Sequence, residues 1–420
     1  MQTGEDLTVP LASSFAGGIM YDAIVIGARC AGSPTAMLLA QKGHKVLLVD
    51  KAAFPSDTIS THIIWPPGTS KLKRWGLLEK VAATGAPLIE TLNFDVGPFA
   101  LSGSLPASDG VSDCYAPRRT VLDKVLLDAA AEAGVEVRES CGVDGLSFDN
   151  NGRVTGILCH SQGGKQVTES ARIVIGADGR NSIVAREVEA PKYHEAPVYA
   201  CWYYAYWSGI ANGEIEFYAR PERAIGFIST NDGLACVAVS SPVREFDRWR
   251  SDIGENFTSS LDLTPVLADR LKGGTRETKF FGTADIPNFF RKPYGPGWVL
   301  VGDAGYHKDP IGAQGISDAF RDAELAANAV DAGFSGKRPL DEALAEYEQT
   351  RNDAVMAMYK FNCELASHEP PSPEMQQLFG ALRGNRPDTE RFLGTLAGSV
   401  PVPEFFAPEN TERILAGAVH

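Results

Sequence analysis

Two apolar patterns alternate along this chain, and each predicts its own kind of element. Residues 23–26, 46–49, 172–176 and 298–301 are short, nearly unbroken apolar runs. Runs of that length predict strands buried on both faces, as in a parallel sheet. Between them apolar residues return at helical spacing. Small residues over 33–41 predict a helix stopped by Lys42-Gly43-His44, and Leu72, Trp75 and Leu78 share one face of a helix over 69–83. Pro117-Arg118-Arg119-Thr120 opens another, with Val121, Val125, Leu126 and Ala129 as its stripe and Gly134 at its end. A strand at 135–138 follows. Residues 143–148 and 154–160, joined through Asp149-Asn150-Asn151-Gly152, predict a hairpin, and 166–170 a further strand.

The pattern changes near residue 199. Residues 199–207, 213–219, 224–230 and 234–240 are evenly spaced, aromatic-rich runs between turn residues, which predict an antiparallel sheet. Alternation in the first run puts Trp202, Tyr204 and Tyr206 on one face and Cys201, Tyr203 and Trp207 on the other. Two earlier pieces, 91–96 and 99–104, are also strand-like. Residues 244–271 are mostly helical, 316–332 predict a helix and 339–368 a long one. Beyond Pro370-Pro371-Ser372-Pro373 lies a small helical appendage.

Composition narrows the class. The 420 residues suffice for two or three domains, and 44% hydrophobic residues support a sizeable core. A net charge of −14 argues against partners such as nucleic acid or an anionic membrane. No stretch is apolar enough to span a bilayer as an integral membrane segment. The first residues lack a basic start and an apolar core, so 1–19 read as a flexible leader, not a signal peptide. The cysteines are odd in number and scattered, which predicts reduced, buried thiols in a cytoplasmic protein and no metal site.

Residues 21–50 carry the first chemistry. Strand, glycine turn, helix, second strand and terminal acid make a dinucleotide-binding βαβ unit. Gly27 permits the tight turn, Gly32 lets the helix pack on the strand, and the helix N-terminus offers N–H groups to a pyrophosphate. Asp50 stands where a carboxylate would accept from an adenosine ribose. The second glycine of the G-x-G-x-x-G pattern is Arg29. It either pushes the pyrophosphate outward or turns its guanidinium onto it.

Two more turns share this chemistry. Gly176-Ala177-Asp178-Gly179 follows a buried strand, and so does the run from Gly302-Asp303 through Pro310-Ile311-Gly312-Ala313-Gln314-Gly315 into the helix at Ile316. Asp303, at a strand end, can accept from a polyol hydroxyl, and the glycines of the loop let backbone N–H groups converge where the helix dipole adds positive potential.

In order and spacing these motifs resemble the FAD-dependent monooxygenases of the para-hydroxybenzoate hydroxylase fold, close to geranylgeranyl-reductase-like flavoproteins. The resemblance covers roughly residues 21–368. It implies an α/β fold: a Rossmann-like FAD-binding domain with an inserted antiparallel β-sheet substrate domain and C-terminal helices. The FAD-binding domain would comprise 20–88, 115–195 and 291–368, the substrate domain 89–114 and 196–290, and the appendage 369–420. It further implies that Gly27, Ala28, Arg29, Gly32, Asp50 and Lys51 serve the cofactor. The same holds for Arg119 of the R-x-x-L spacing, Val143, whose backbone would hold the adenine, and Asp178, facing both FAD and NAD(P)H. Gly302, Asp303, Gly312, Ala313, Gly315 and Ile316 would complete the site, with Pro310 and Gly312 positioning the flavin. Arg118 is an alternative to Arg119. The family often has histidine where this chain has Tyr306, with His307 next to it.

The implied activity is that of a hydroxylase: NADPH or NADH reduces FAD, O2 adds to form a flavin C4a-hydroperoxide, and one oxygen enters a small hydrophobic organic substrate. The aromatic sheet favours an aromatic or polycyclic substrate, with Trp202, Tyr204, Tyr206, Phe217 and Phe227 as pocket candidates. The alternatives are a flavin-dependent reductase of a C=C bond and a non-catalytic flavin- or ligand-binding module. The W-x-W-x-I-P motif of flavin halogenases is absent, and so is a second glycine-rich βαβ unit. The chain would act as a monomer or homodimer.

Overall fold

The computed structural model describes residues 20–161 and 163–417; the predicted leader lies outside them. Five strands form a parallel sheet in the order Glu136–Arg138, Val46–Val49, Met20–Ile26, Val167–Gly176 and Trp298–Leu300. Ile24, Val25, Leu47, Leu48, Val174 and Ile175 are fully buried, as unbroken apolar runs require. The helices Gly32–Gln41, Arg119–Glu132 and Gly315–Phe334 share one core with one face of this sheet. The hairpin Cys141–Phe148 and Val154–Ser161 shares a core with the other.

The sequence predicts separate strands at 166–170 and 172–176, whereas Val167–Gly176 is one strand of ten residues. Its polar first half pairs antiparallel with Val154–Ser161, and its apolar remainder runs inside the parallel sheet. The expected helix over 69–83 is two, Pro66–Arg74 and Leu78–Ala82. Gly76 between them sits at φ +72°, outside helical space.

A second sheet has the order Thr275–Arg276, Ala200–Ser208, Leu234–Pro242, Arg223–Ser229, Ile215–Arg220, Leu92–Asp95 and Ala100–Gly103. Its four predicted strands pair antiparallel, while Leu92–Asp95 joins parallel to Ile215–Arg220. One face packs on the helices Phe246–Ser251, Ile253–Leu261 and Pro265–Lys272. The other shares a core with the C-terminal helices Pro373–Leu382, Arg386–Ala397, Val402–Phe405 and Pro408–Gly417. A small third sheet, Lys192–Ala196 with Asn288–Arg291 and Tyr306–His307, has no counterpart in the sequence pattern. Among the described residues no helix is long and apolar enough to cross a membrane.

Candidate active site

The three glycine-bearing turns touch one another. A Cβ on Gly27, which has φ +100°, would lie 2.4 Å from the Ala177 carbonyl oxygen. One on Gly32 would lie 1.7 Å from the Gly27 oxygen, and one on Gly302 2.9 Å from Ala31 Cβ. All three distances are shorter than a Cβ tolerates, so the turns close only because those side chains are missing. Behind them the Asp50 carboxylate accepts from Ala28 N at 2.7 Å and Ala52 N at 2.8 Å, fixing the first turn to the end of the second strand.

Positive charge gathers where the turns meet. Arg29 donates to Asp123 Oδ2 at 2.6 Å and to Ser56 Oγ at 2.8 Å. Arg119 grips the same carboxylate through Nε at 3.0 Å and Nη2 at 2.9 Å, and Asp123 is wholly buried. Two guanidiniums share one carboxylate, leaving a net charge of about +1 beside the Gly32 helix. That helix has neither a side-chain cap nor an acid in its first turn; Ser33 and Thr35 N–H are taken by the Arg29 and Ala31 carbonyls and Pro34 has none, so Gly32 N–H is the first-turn donor left for an anion among the described residues. Arg118 turns away: it donates to Asp57 at 3.0 Å and stacks on Tyr206. Asp303 is exposed among buried neighbours and accepts no hydrogen bond from the described residues. Asp178 Oδ2 caps Ile183 N at 2.6 Å, Oδ1 is buried without a partner, and burial pushes this carboxyl up.

The loop Pro310–Gly312, with Ala313 in left-handed conformation at φ +52°, leads into the Gly315 helix. It is fastened from four directions. Trp65 Nε1 donates to Gly312 O at 3.1 Å, and Gly312 N donates to Asn362 Oδ1 at 3.1 Å. Gln314 Nε2 donates to Leu396 O at 2.8 Å, and Trp202 Nε1 donates to Asp309 Oδ1 at 3.2 Å. The N–H groups of Gln314 and Gly315 keep no partner among the described residues. Asp318 in the first helical turn is neutralised by Lys308 and by Arg321 at 2.6 Å. Asp309 itself is buried, its Oδ2 unpartnered, and burial pushes its carboxyl up to about 7. Asp123, Asp309, Trp65 and Asn362 escape sequence reasoning. Only the i,i+4 spacing of Arg119 and Asp123 and the Asp-Pro step at 309–310 could have flagged any of them.

One cavity of about 1290 Å³ joins these parts. That exceeds the 300–1,000 Å³ usual for a small-molecule pocket, and leaves space for a cofactor's reactive end together with a second molecule. Arg29, Lys51, Arg119, Asp178, Gly302 and Asp303 line its polar part. Pro310, Gly312, Ala313, Gly315 and Ile316 line the loop, and Trp202, Tyr204 and Phe217 the sheet side. Gly27, Ala28 and Gly32 shape the turn from behind, and Asp50 and Val143 also stand off the cavity wall, Val143 half-buried on the hairpin.

Two pocket candidates are corrected. Phe227 faces the opposite side of the sheet, fully buried in the core around Trp249 and Phe257, because its strand parity is that of Ile225. Tyr206 has the parity of Trp202 and Tyr204 but lies behind the wall, bonded to buried His62. The Trp202–Tyr204 face is therefore the one that lines the cavity.

These groups suit FAD. A cationic pair and an uncapped helix match a pyrophosphate, an unpaired carboxylate at Asp303 matches ribityl hydroxyls, and free loop N–H groups match the electron-accepting pyrimidine edge.

Comparison with known proteins agrees. A family described as FAD binding domain matches residues 20–362. A tryptophan 2-halogenase of Chondromyces crocatus is 26% identical over 339 residues, covering 78% of this chain and 64% of that protein. A digeranylgeranylglycerophospholipid reductase of Methanosarcina mazei is 29% identical, covering 82% of this chain and 84% of that one. Among solved structures, the probable FAD-dependent monooxygenase PqsL of Pseudomonas aeruginosa superposes with a TM-score of 0.71 at 21% identity, covering 83% and 96% of the two chains.

Proposed function

Since the chain belongs to the FAD binding domain family, we propose that it is an FAD-dependent monooxygenase that places one oxygen atom from O2 into a hydrophobic, aromatic or polycyclic molecule. The balanced reaction consumes substrate, O2, NAD(P)H and a proton and yields hydroxylated product, water and NAD(P)+. The carrying observation is the unbroken cavity from the cofactor turns to the aromatic face of the second sheet. FAD, when bound, supplies electron transfer and oxygen activation.

The protein's part is positional. Arg29, Arg119 and the Gly32 helix would hold the pyrophosphate, and Asp303 the ribityl chain. The four-way fastening of the 310–315 loop holds its N–H groups in place before any negative charge arrives, which spares reorganisation. The aromatic wall excludes water and orients an apolar substrate. The absence of W-x-W-x-I-P supports oxygenation over halogenation. A second reading, reduction of a C=C bond, draws on Asp309, whose carboxyl on the wall, pushed up to about 7 by burial, can hold a proton of the kind such a reaction adds to carbon.

The test uses FAD-loaded protein and a panel of polycyclic compounds. Oxygen uptake that matches NAD(P)H oxidation and depends on substrate is the expected result. Turnover under strict anaerobiosis would select the reductase. Release of FMN, or of no flavin after reconstitution, would remove both.

A further inference from the structure

The cavity has a floor and two edges. On the Trp202–Tyr204 face, Ala224, Gly226 and Ala238 line it with little or no side chain, and Gly226 pairs with Ala238 across adjacent strands. Trp202 and Tyr204 rise at one edge. At the other stands Phe217, three strands away in the sheet order and about 14 Å across at the usual strand spacing, its ring reaching over Gly226, with Phe94 beside it on the next strand. A flat, apolar ring system matches a trough of this shape.

Phe94 does not stand alone. Phe379 and Phe392, from two different C-terminal helices, meet it edge to face, with centroids 6.1 Å and 5.8 Å from Phe94 and 5.5 Å from each other. All three line the cavity. The Gln314–Leu396 hydrogen bond ties the second of those helices to the loop beside the cofactor site, so this wall is fixed relative to the reacting position. The Gln314 side chain acts here by positioning, while its backbone N–H stays among the free loop donors.

We propose that the cluster of Phe94, Phe379 and Phe392 sets the largest ring system the cavity accepts, making the C-terminal helices the determinant of substrate size. The proposal rests on the reading that the substrate is a hydrophobic ring compound. Phe379 is the residue to vary, because it is half-buried, whereas Phe392 is core. Trimming it lengthens the trough; enlarging it shortens the trough.

Naphthalene, phenanthrene and pyrene are titrated into FAD-loaded protein, with binding read from quenching of tryptophan emission, to which Trp202 in the wall contributes. Phe379→Ala should raise the affinity for pyrene relative to naphthalene about tenfold, and Phe379→Trp should lower that ratio by a similar factor, the usual scale for a resized apolar pocket. An unchanged FAD spectrum checks that each variant is folded. Met375→Ala, on the same helix and also lining the cavity, replaces Phe379→Ala if the latter fails to fold. If the wild type binds the probes and the ratio stays put in the variants, the size gauge is wrong while the substrate reading survives. If the FAD-loaded wild type binds none of the three, the substrate reading falls and takes the gauge with it.

Discussion

Asp309 carries one oxygen saturated by Trp202 and Ile311 and one with no partner at all. A carboxyl so placed resists ionisation, because the anion would lose water without gaining a cation. Its nearest lysine, Lys308, is committed to Asp318, and its titratable neighbours Cys201 and Cys363 are themselves pushed up by burial. Burial raises Asp309 from 3.8 to about 7, so its contribution to stability is fully present below pH 4 and is lost as pH rises through about 7. Roughly three units correspond to about 4 kcal/mol. Burial acts oppositely on His62 and His368, held down to about 3 and about 4, whose contributions are lost as pH falls from 6.5. Wild-type stability minus that of Asp309→Asn isolates the carboxyl. Measured by urea denaturation, that difference should fall by a few kcal/mol between pH 4 and pH 8; a flat difference would mean Asp309 ionises normally. Asp303 was legible in the sequence, because a strand end and a glycine turn fix where its side chain emerges. Asp309 and Asp123 were not, since their meaning depends on Trp202 and Arg29, far away in the chain.

The strand–turn–helix from Met20 to Gln41 is the element whose sequence most constrains its geometry. Gly32→Ala forces a methyl to within 1.7 Å of the Gly27 oxygen, so the helix must move. A loss of about 1–3 kcal/mol, the usual cost of overpacking, is expected as a lowered denaturation midpoint. Gly380→Ala is the control. Its Cβ meets nothing within 4 Å, it lies inside a helix, and it should be neutral or slightly stabilising. Equal losses in the two variants would show that the turn does not need its missing side chain. Local signals of this kind made the βαβ unit, the hairpin and the four strands after residue 199 readable. The Tyr306–His307 strand was unreadable because two residues carry no periodicity. The single strand over Val167–Gly176 was split for a related reason: its halves face different neighbours and carry different patterns.

At the scale of the molecule, the C-terminal helices are part of a core and not an attachment to it. Leu378, Leu382, Phe392, Leu393 and Phe405 bury against Ile63, Trp65, Leu92, Leu101 and the second sheet. Five such side chains at about 2 kcal/mol each come to on the order of 10 kcal/mol, comparable with the 5–15 kcal/mol that holds a domain together. A chain ending at Glu369 should therefore fail to give soluble, FAD-binding protein on expression; a well-folded yellow product would show that the shared core contributes little.

The Gln314–Leu396 bond has a consequence in time. The 310–315 loop is complete only when a residue over eighty positions downstream has docked on it, yet the βαβ unit that begins the cofactor site leaves the ribosome first. At about 5–20 residues per second, the stretch from Gln314 to Leu396 takes roughly 4–16 seconds to synthesise. For that interval the nascent chain presents the Trp202–Tyr204 face without its cover, as a half-built hydrophobic trough open to whatever chaperone or neighbouring chain meets it.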